Sequence, residues 1–171
     1  MINSSTTVSY HAVDLTDLVD RAIEALTNHL ANTNEITTSP TKSKQLATLH
    51  LAGEPAEHFC VMWLSNKNQL IKFERLFAGT INSSSVHPRE VVRAALHHNA
   101  AAAILCHNHP SGDVEPSRAD LAITRTLVDT LALIDVNVLD HIIVGVGASM
   151  SFAEKGLIVP ARTPTSRRTE T

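Results

Sequence analysis

The sequence predicts an α/β domain in which a mixed β-sheet is flanked by helices. Short apolar runs of strand length alternate with longer segments whose apolar residues keep helical spacing, and one pair of strands is joined by a short turn. The 171 residues, 43% hydrophobic and 18% charged, have the composition of a globular protein large enough for a substantial core. No run approaches the roughly 18 apolar residues that span a bilayer, so no membrane association is expected.

The first half of the chain predicts two helices and a β-hairpin. Residues 14–30 carry apolar side chains at helical spacing, and a second helix is expected to begin with Ser39 as its N-cap and Pro40 at its first position. The run EHFCVMWLS, residues 57–65, is apolar on both alternating faces, which is typical of a buried strand. The turn NKN joins it to a second strand over residues 69–79.

The second half predicts further helices and strands in alternation. A helix is expected over residues 87–98, followed by a central strand over 101–107, where the chain is continuously apolar. Residues 117–134 carry the buried stripe of another helix, and residues 137–146 form a further strand. The segment SFAEKG, residues 151–156, predicts a short helix.

Three parts of the chain are expected: an N-terminal helix with its linker over residues 1–38, one domain over 39–159, and a disordered tail over 160–171. The tail is locally basic, and a solubilising end is favoured over a binding segment. The net charge of −3 gives the chain no general attraction for nucleic acid, so direct nucleic-acid contact is not expected.

A cytoplasmic protein is expected, because the N-terminus lacks the basic start and apolar core of a signal peptide. Cys60 and Cys106 both lie in apolar runs and resemble small buried hydrophobes. A disulfide between them requires that their strands be neighbours, and a reducing compartment disfavours it.

The stretch CHNHPSGDVEPSRAD, residues 106–120, concentrates the polar groups that suggest chemistry. Residues two apart on a strand share a face, so His107 and His109 can present both imidazoles to one point. Two neutral imidazoles suit a zinc ion, which takes nitrogen ligands at about 2.0–2.1 Å. The alternative is a pair of loop histidines with ordinary hydrogen-bond partners.

Asp120 favours the metal over that alternative. It lies in the first turn of the predicted helix, on the inward stripe, where an ionised carboxylate needs a partner. The motif Ser117-x-x-Asp120 also resembles a capping box, with Asp in place of the usual Glu or Gln. Taken alone the cap is preferred, but beside the two histidines a metal is preferred. Three protein ligands leave the fourth position open, as in catalytic zinc sites.

A base is still needed to take a proton from water activated by the metal. Four glutamates lie in apolar or strand contexts: Glu54, Glu57, Glu74 and Glu90. Glu57 leads because it begins a buried strand, where an acid is otherwise hard to explain.

The stretch HNHPSGDVEPSRAD resembles the RadC branch of the JAMM (MPN-plus) metalloprotease superfamily. The signature of that superfamily is a distant Glu, then His-x-His, then Ser-x-x-Asp. Similarity extends over roughly residues 39–158, from the SP at its start through FAGTINSSSVHPREVVRAALHHNAAAAILCHNHPSGD to SFAEKGL. The resemblance implies a JAB/MPN architecture similar to that of cytidine deaminases.

The resemblance also implies roles for individual residues. It implies one Zn²⁺ per chain with three ligands: His107, His109 and Asp120. Glu57 becomes the acid/base, and Ser117 a donor to the oxyanion of a tetrahedral intermediate, with helix capping as the alternative for Ser117. Asp140 and His141 match the family as well, and a supporting role beside the ligands is suggested for them.

The function expected first is a zinc-dependent hydrolase that cleaves a peptide, amide or isopeptide bond in a protein or peptide substrate. A role in DNA repair or metabolism is the second hypothesis. The acidic balance argues against it, as does the short N-terminal part, which leaves no room for the helix-hairpin-helix segment of many RadC-like proteins. A non-catalytic binding module is the third, although JAMM-like domains of that kind usually lack the ligands.

Overall fold

A computed structural model describes residues 15–32, 40–79 and 86–161 of the chain. These residues form the following helices and strands: α1 (Leu15–Asn32), α2 (Pro40–Leu51), β1 (His58–Leu64), β2 (Leu70–Ala78), α3 (Pro88–His97), β3 (Ala102–Asn108), α4 (Arg118–Ala132), β4 (Asn137–Val144) and β5 (Ser149–Ser151). The predicted α/β class is confirmed. Every element from α1 to β4 coincides with one expected from the sequence, with bounds that differ by two residues or fewer.

The segment after β4 differs from the prediction. The short helix expected over residues 151–156 is wrong, because Ser149–Ser151 pair with β4 as strand β5 and the next five residues are turns. Asp140 explains the difference: its carboxylate accepts hydrogen bonds from Ser151 Oγ at 2.6 Å and from the Ala153 backbone N–H at 2.8 Å. These bonds tie the turn after β5 to β4.

The five strands form one mixed sheet in the order β2-β1-β3-β4-β5. All neighbours pair antiparallel except β3 and β4, which are parallel. A parallel pair requires a crossover connection, and helix α4 supplies it. The loop from β3 into α4 therefore leaves the sheet at the end of a central strand, and this loop carries the HNHPSGD motif.

Helices cover both faces of the sheet. Helix α2 packs on one face against β1, β3 and β4, while α3 and α4 pack on the other around Phe59, Trp63 and Leu105. Strands β1 and β3 are buried at every position, as expected for runs that are apolar on both alternating faces. The core is thus built on two strands that also lead to the candidate site.

The two cysteines face each other across β1 and β3, where Cys60 and Cys106 are direct partners in the register. The neighbouring strands that a disulfide would require are therefore present, but both residues are free thiols. Burial raises the pKa of Cys60 to about 12, and it raises the pKa of Cys106 well above its usual range.

Helix α1 packs lightly on β2. Of its apolar stripe, Ile23 is half-buried, whereas Leu18, Val19 and Leu26 are each about half exposed. Among the described residues, no helix has the length and apolarity to cross a membrane. The proposed cap at Ser39, almost all of the tail and the loop over residues 80–85 lie outside the described part of the chain.

Candidate metal centre

The candidate site lies where β3 ends and α4 begins. His107 is the penultimate residue of β3, and the backbone N–H of His109 donates to the carbonyl of Val144 at 2.8 Å, which continues the pairing with β4 beyond the strand. A turn closed by the Gly112 N–H on the His109 carbonyl at 2.9 Å then redirects the chain. Both imidazoles are thereby held on backbone that the sheet fixes.

Three side chains predicted as ligands meet there. The Nε2 atoms of His107 and His109 are 2.9 Å apart. Asp120 places Oδ1 at 3.3 Å from the Nε2 of His107 and Oδ2 at 3.6 Å from the Nε2 of His109. His107 and Asp120 are buried, and His109 lies at the edge of solvent.

A chain of hydrogen bonds fixes the tautomer of His107. The hydroxyl of Thr124 donates to the Asp120 backbone carbonyl at 2.5 Å, so the Nδ1–H of His141 must donate to that hydroxyl, at 2.6 Å. Burial lowers the pKa of His141 well below its usual range, so its Nε2 has a free lone pair. That atom accepts from the Nδ1–H of His107 at 2.8 Å. The Nε2 of a neutral His107 therefore presents a lone pair to the site.

His109 is oriented in the same way by a different partner. Its Nδ1–H donates to the backbone carbonyl of Asp113 at 2.7 Å, which leaves the Nε2 lone pair facing His107. Two lone pairs and the Asp120 carboxylate then converge without a donor between them. Such a set of acceptors requires a cation, either a proton or a metal ion.

The separations between these atoms fit a zinc ion. Ligands at about 2.0–2.1 Å in tetrahedral geometry stand about 3.3 Å from one another. The observed separations of 2.9, 3.3 and 3.6 Å lie within a few tenths of an ångström of that value. Both imidazole nitrogens and the carboxylate are ligands that zinc prefers.

Asp120 makes the contacts of a helix cap and also lies against both histidines. Its Oδ2 accepts from the Ser117 backbone N–H at 2.7 Å, and its own N–H donates to Ser117 Oγ at 3.1 Å, so the capping box is present. Burial by itself raises the pKa of the Asp120 carboxyl. The neighbouring imidazoles of His107 and His109, which give the carboxylate a positive partner when they carry a proton on Nε2, outweigh burial and hold that pKa well below its usual range. The carboxylate therefore stays ionised while it serves both the helix and the histidines.

Glu57 lies beside the histidine pair, in the residue before β1. One ligand atom each from Glu57, His107 and His109 lies within 4.8 Å of the others, a grouping that could itself hold a metal ion. Two carboxylates thus flank the imidazoles. Among the described residues, none of the other acids considered as bases, Glu54, Glu74 and Glu90, belongs to that grouping.

Sequence reasoning missed two polar residues that shape the site. Thr124 fixes the chain of tautomers, and Asn108 binds the segment that carries Glu57. Asn108 occupies the unspecified position of His-x-His, and Thr124 lies beyond Ser-x-x-Asp, so the pattern specifies neither residue. The available signal was polarity in an apolar setting, because Asn108 ends a buried strand and Thr124 stands on the inward stripe of α4.

The fold and the site together define an α/β domain of the JAB type. The profile of the RadC-like JAB domain family matches residues 37–157, and the chain belongs to that family. The UPF0758 protein YeeS of Escherichia coli (strain K12) is 50% identical over 141 residues, which make up 82% of this chain and 95% of YeeS. The UPF0758 protein YkfG of the same strain is 51% identical, over 82% of this chain and 89% of YkfG.

Longer relatives contain a similar region as part of a larger chain. A UPF0758 protein of Acidovorax sp. (strain JS42) is 51% identical over 145 residues, which make up 85% of this chain but 60% of that protein. The present chain thus spans less than two thirds of such a relative.

Proposed function

We propose that the protein is a zinc-dependent hydrolase that cleaves a peptide, amide or isopeptide bond in a protein or peptide substrate. The observation that carries the proposal is the convergence of two imidazole lone pairs and one buried carboxylate, at the separations that zinc requires, beside a second carboxylate. A purely structural zinc site has four protein ligands and needs no such neighbouring acid.

The two carboxylates differ in surroundings, and this difference supports different roles. Asp120 is buried and touches both imidazoles, so we assign it as the third ligand, with His107 and His109. Glu57 is only half-buried, which suits a group that exchanges protons with water and substrate. We therefore assign Glu57 as the base.

When bound, zinc would supply Lewis-acid activation of a water molecule. Glu57 accepts a proton as that water adds to the carbonyl carbon, and it delivers the proton to the departing amine nitrogen when the C–N bond breaks. The net result is the addition of one water across the amide. The hydroxyl of Ser117 accepts from the Asp120 N–H and keeps its own proton, which it can donate to the developing oxyanion.

The variant Glu57→Gln tests the assignment of the base. Hydrolysis of fluorogenic peptides should fall by about 10²–10⁴-fold, the usual contribution of a positioned base. About one zinc per chain should remain by plasma mass spectrometry, because Glu57 is not a ligand. Glu54→Gln is the matched control, since Glu54 lies three residues away and pairs with Arg75, and it should leave the rate unchanged. Activity that survives in Glu57→Gln would remove Glu57 from the mechanism.

The metal itself is tested by the zinc content of the purified protein and of His109→Ala. We expect about one zinc per chain in the first and a large loss in the second, because one of three ligands is gone. Absence of zinc from both proteins, even after zinc is supplied, would leave a non-catalytic binding module as the better account.

A further inference from the structure

The side chain of Asn108 bonds to the backbone on both sides of Glu57, the residue assigned as the base. Its Oδ1 accepts from the backbone N–H of His58 at 2.8 Å, and its Nδ2 donates to the carbonyl of Ala56 at 2.9 Å. A further contact from Nδ2 reaches the carbonyl of Glu54 at 3.3 Å. The amide therefore binds the peptide groups on both sides of Glu57.

The bond to His58 is buried and the two bonds to carbonyls are partly buried, so the amide has few alternatives. Asn108 is 3% exposed, and the orientation of its amide follows from its partners, because an N–H needs the oxygen and two carbonyls need the nitrogen. Replacement by an apolar side chain would leave the buried N–H of His58 without a partner, which is costly. The carbonyl of Glu57 is held separately by the Gly79 N–H at 2.8 Å. Little freedom remains in the backbone at Glu57.

Asn108 lies between His107 and His109, so its contacts link the base to the assigned ligands. Alternate residues of a strand point to opposite faces, so Asn108 points away from the face that carries His107. One strand end thus presents the imidazoles to the metal site on one side and grips the segment that carries Glu57 on the other. The backbone of residues 107–109 therefore fixes the positions of both the base and two of the assigned ligands.

We propose that Asn108 is a positioning residue. It holds Glu57 close enough to His107 and His109 to take a proton from water activated at that site. This inference rests on the proposed function, because it gives Glu57 the role of base. A displacement of about 1 Å at a catalytic group can lower a rate by about 10²-fold. The amide of Asn108 prevents such a displacement without touching metal, water or substrate.

Asn108→Ala tests the proposal in the zinc-loaded 171-residue chain. With the best substrate from a fluorogenic peptide library that includes ε-lysine isopeptides, we expect kcat to fall by about 10–100-fold. KM and the zinc content should stay close to the wild-type values. Ile104→Val is the control: it perturbs the same buried strand at a position that pairs with Met62, outside the 54–58 segment, and it should keep the wild-type kcat.

A double-mutant cycle separates positioning from a general loss of structure. If Asn108 acts through Glu57, Asn108→Ala should have little further effect on kcat in a Glu57→Gln background. A structural role would instead lower the rate by the same factor in both backgrounds, and that result would overturn the proposal. Equal kcat in wild type and Asn108→Ala would overturn it too, while leaving the proposed function in place.

A measurement without substrate keeps the two ideas apart. The His58 amide donates to Asn108, so its hydrogen exchange should accelerate in Asn108→Ala and remain slow in Ile104→Val. Unchanged exchange at His58 would overturn the inference whether or not the protein hydrolyses a peptide. A different outcome is that the wild type hydrolyses nothing while exchange at His58 accelerates in the variant. That result would overturn the proposed function but still support the conclusion that Asn108 holds the backbone around Glu57.

Discussion

The hydroxyl of Thr124 determines the tautomer of His107 without contacting that residue. It orients His141, which in turn holds the proton of His107 on Nδ1 and leaves Nε2 free for a metal. His141 is a direct hydrogen-bond partner of an assigned ligand, and such partners orient ligands and raise their basicity; Thr124 acts one hydrogen bond further out, on His141. The effect of Thr124 on the site should therefore exceed what its small size suggests.

Thr124→Val removes the hydroxyl and conserves the shape of the side chain. We expect zinc affinity to fall by about 10–100-fold, because His141 can then turn and His107 can adopt the other tautomer. Competition with a chromophoric chelator measures the change. Thr126→Val is a matched control, since Thr126 makes the same bond to the carbonyl four residues earlier in α4 but is exposed. Equal affinities in the two variants would contradict the role given to Thr124.

His50 should make the folded protein less stable in acid. Burial, and then the charge of Arg75, lower the pKa of His50 to about 4, while its ring stacks on Phe73 and bonds the Thr27 hydroxyl at 2.9 Å. The unfolded chain binds this proton at a pKa near 6.5, so it binds more protons than the native state between about pH 6.5 and 4. Stability is full above that range and declines as pH falls through it.

His50→Gln should weaken that decline. Because the ring is partly exposed, the full shift overstates the energy, and we expect the variant to lose about 1–2 kcal/mol less than wild type between pH 7 and 4. Urea denaturation at several pH values gives the difference, and all other titrating groups are shared by the two proteins. Parallel stability curves would show that His50 does not titrate in this way.

At the scale of elements, the loop between β3 and α4 is fitted closely to the end of β4. A Cβ on Gly145 would collide with the carbonyl oxygen of Gly112 and would lie 2.8 Å from Val114 Cγ1. The loop that carries His109 therefore rests directly on backbone at this position. Only a residue without a side chain allows that approach.

Gly145→Ala should displace the loop and with it His109. We expect the free energy of unfolding to fall by about 1–3 kcal/mol, as for other overpacked positions, and zinc affinity to fall with it. Gly147→Ala is the control: its φ of +72° makes the substitution costly, but among the described residues no atom beyond its chain neighbours lies within 4 Å of the added carbon. That variant should lose stability and keep its zinc affinity. Zinc binding by Gly145→Ala at the wild-type level would contradict the expectation.

The sequence was most informative about elements with a strong period and least informative about contacts between distant segments. Strands β1 and β3 follow from continuous apolar runs, and the cap of α4 from Ser117 and Asp120. Strand β5 was missed because three residues, two of them serine, show no period that distinguishes them from a loop. The partnership of Asn108 with His58 joins residues fifty positions apart, and no local spacing encodes it.

At the scale of the whole molecule, the core and the candidate site are both formed without α1. Among the described side chains, the buried clusters contain none from that helix; Ile23 and Thr27 are half-buried, and Thr27 bonds His50 of α2. A chain that begins at Pro40 should therefore unfold cooperatively, lose about 1–2 kcal/mol of stability, and keep one zinc per chain. Urea denaturation and metal analysis test this, and a chain that fails to fold without α1 would show that the helix belongs to the core.

The facing thiols of Cys60 and Cys106 give the protein an internal reporter of its own opening. Only a thiolate reacts with a labelling reagent, and burial suppresses the thiolate at both positions. Because the two residues pair across β1 and β3, neither can react until the central strands separate. The rate of modification by an aromatic disulfide reagent therefore measures how often the middle of the sheet opens. The same rate, measured in each variant, shows without an added probe how a substitution changes that opening.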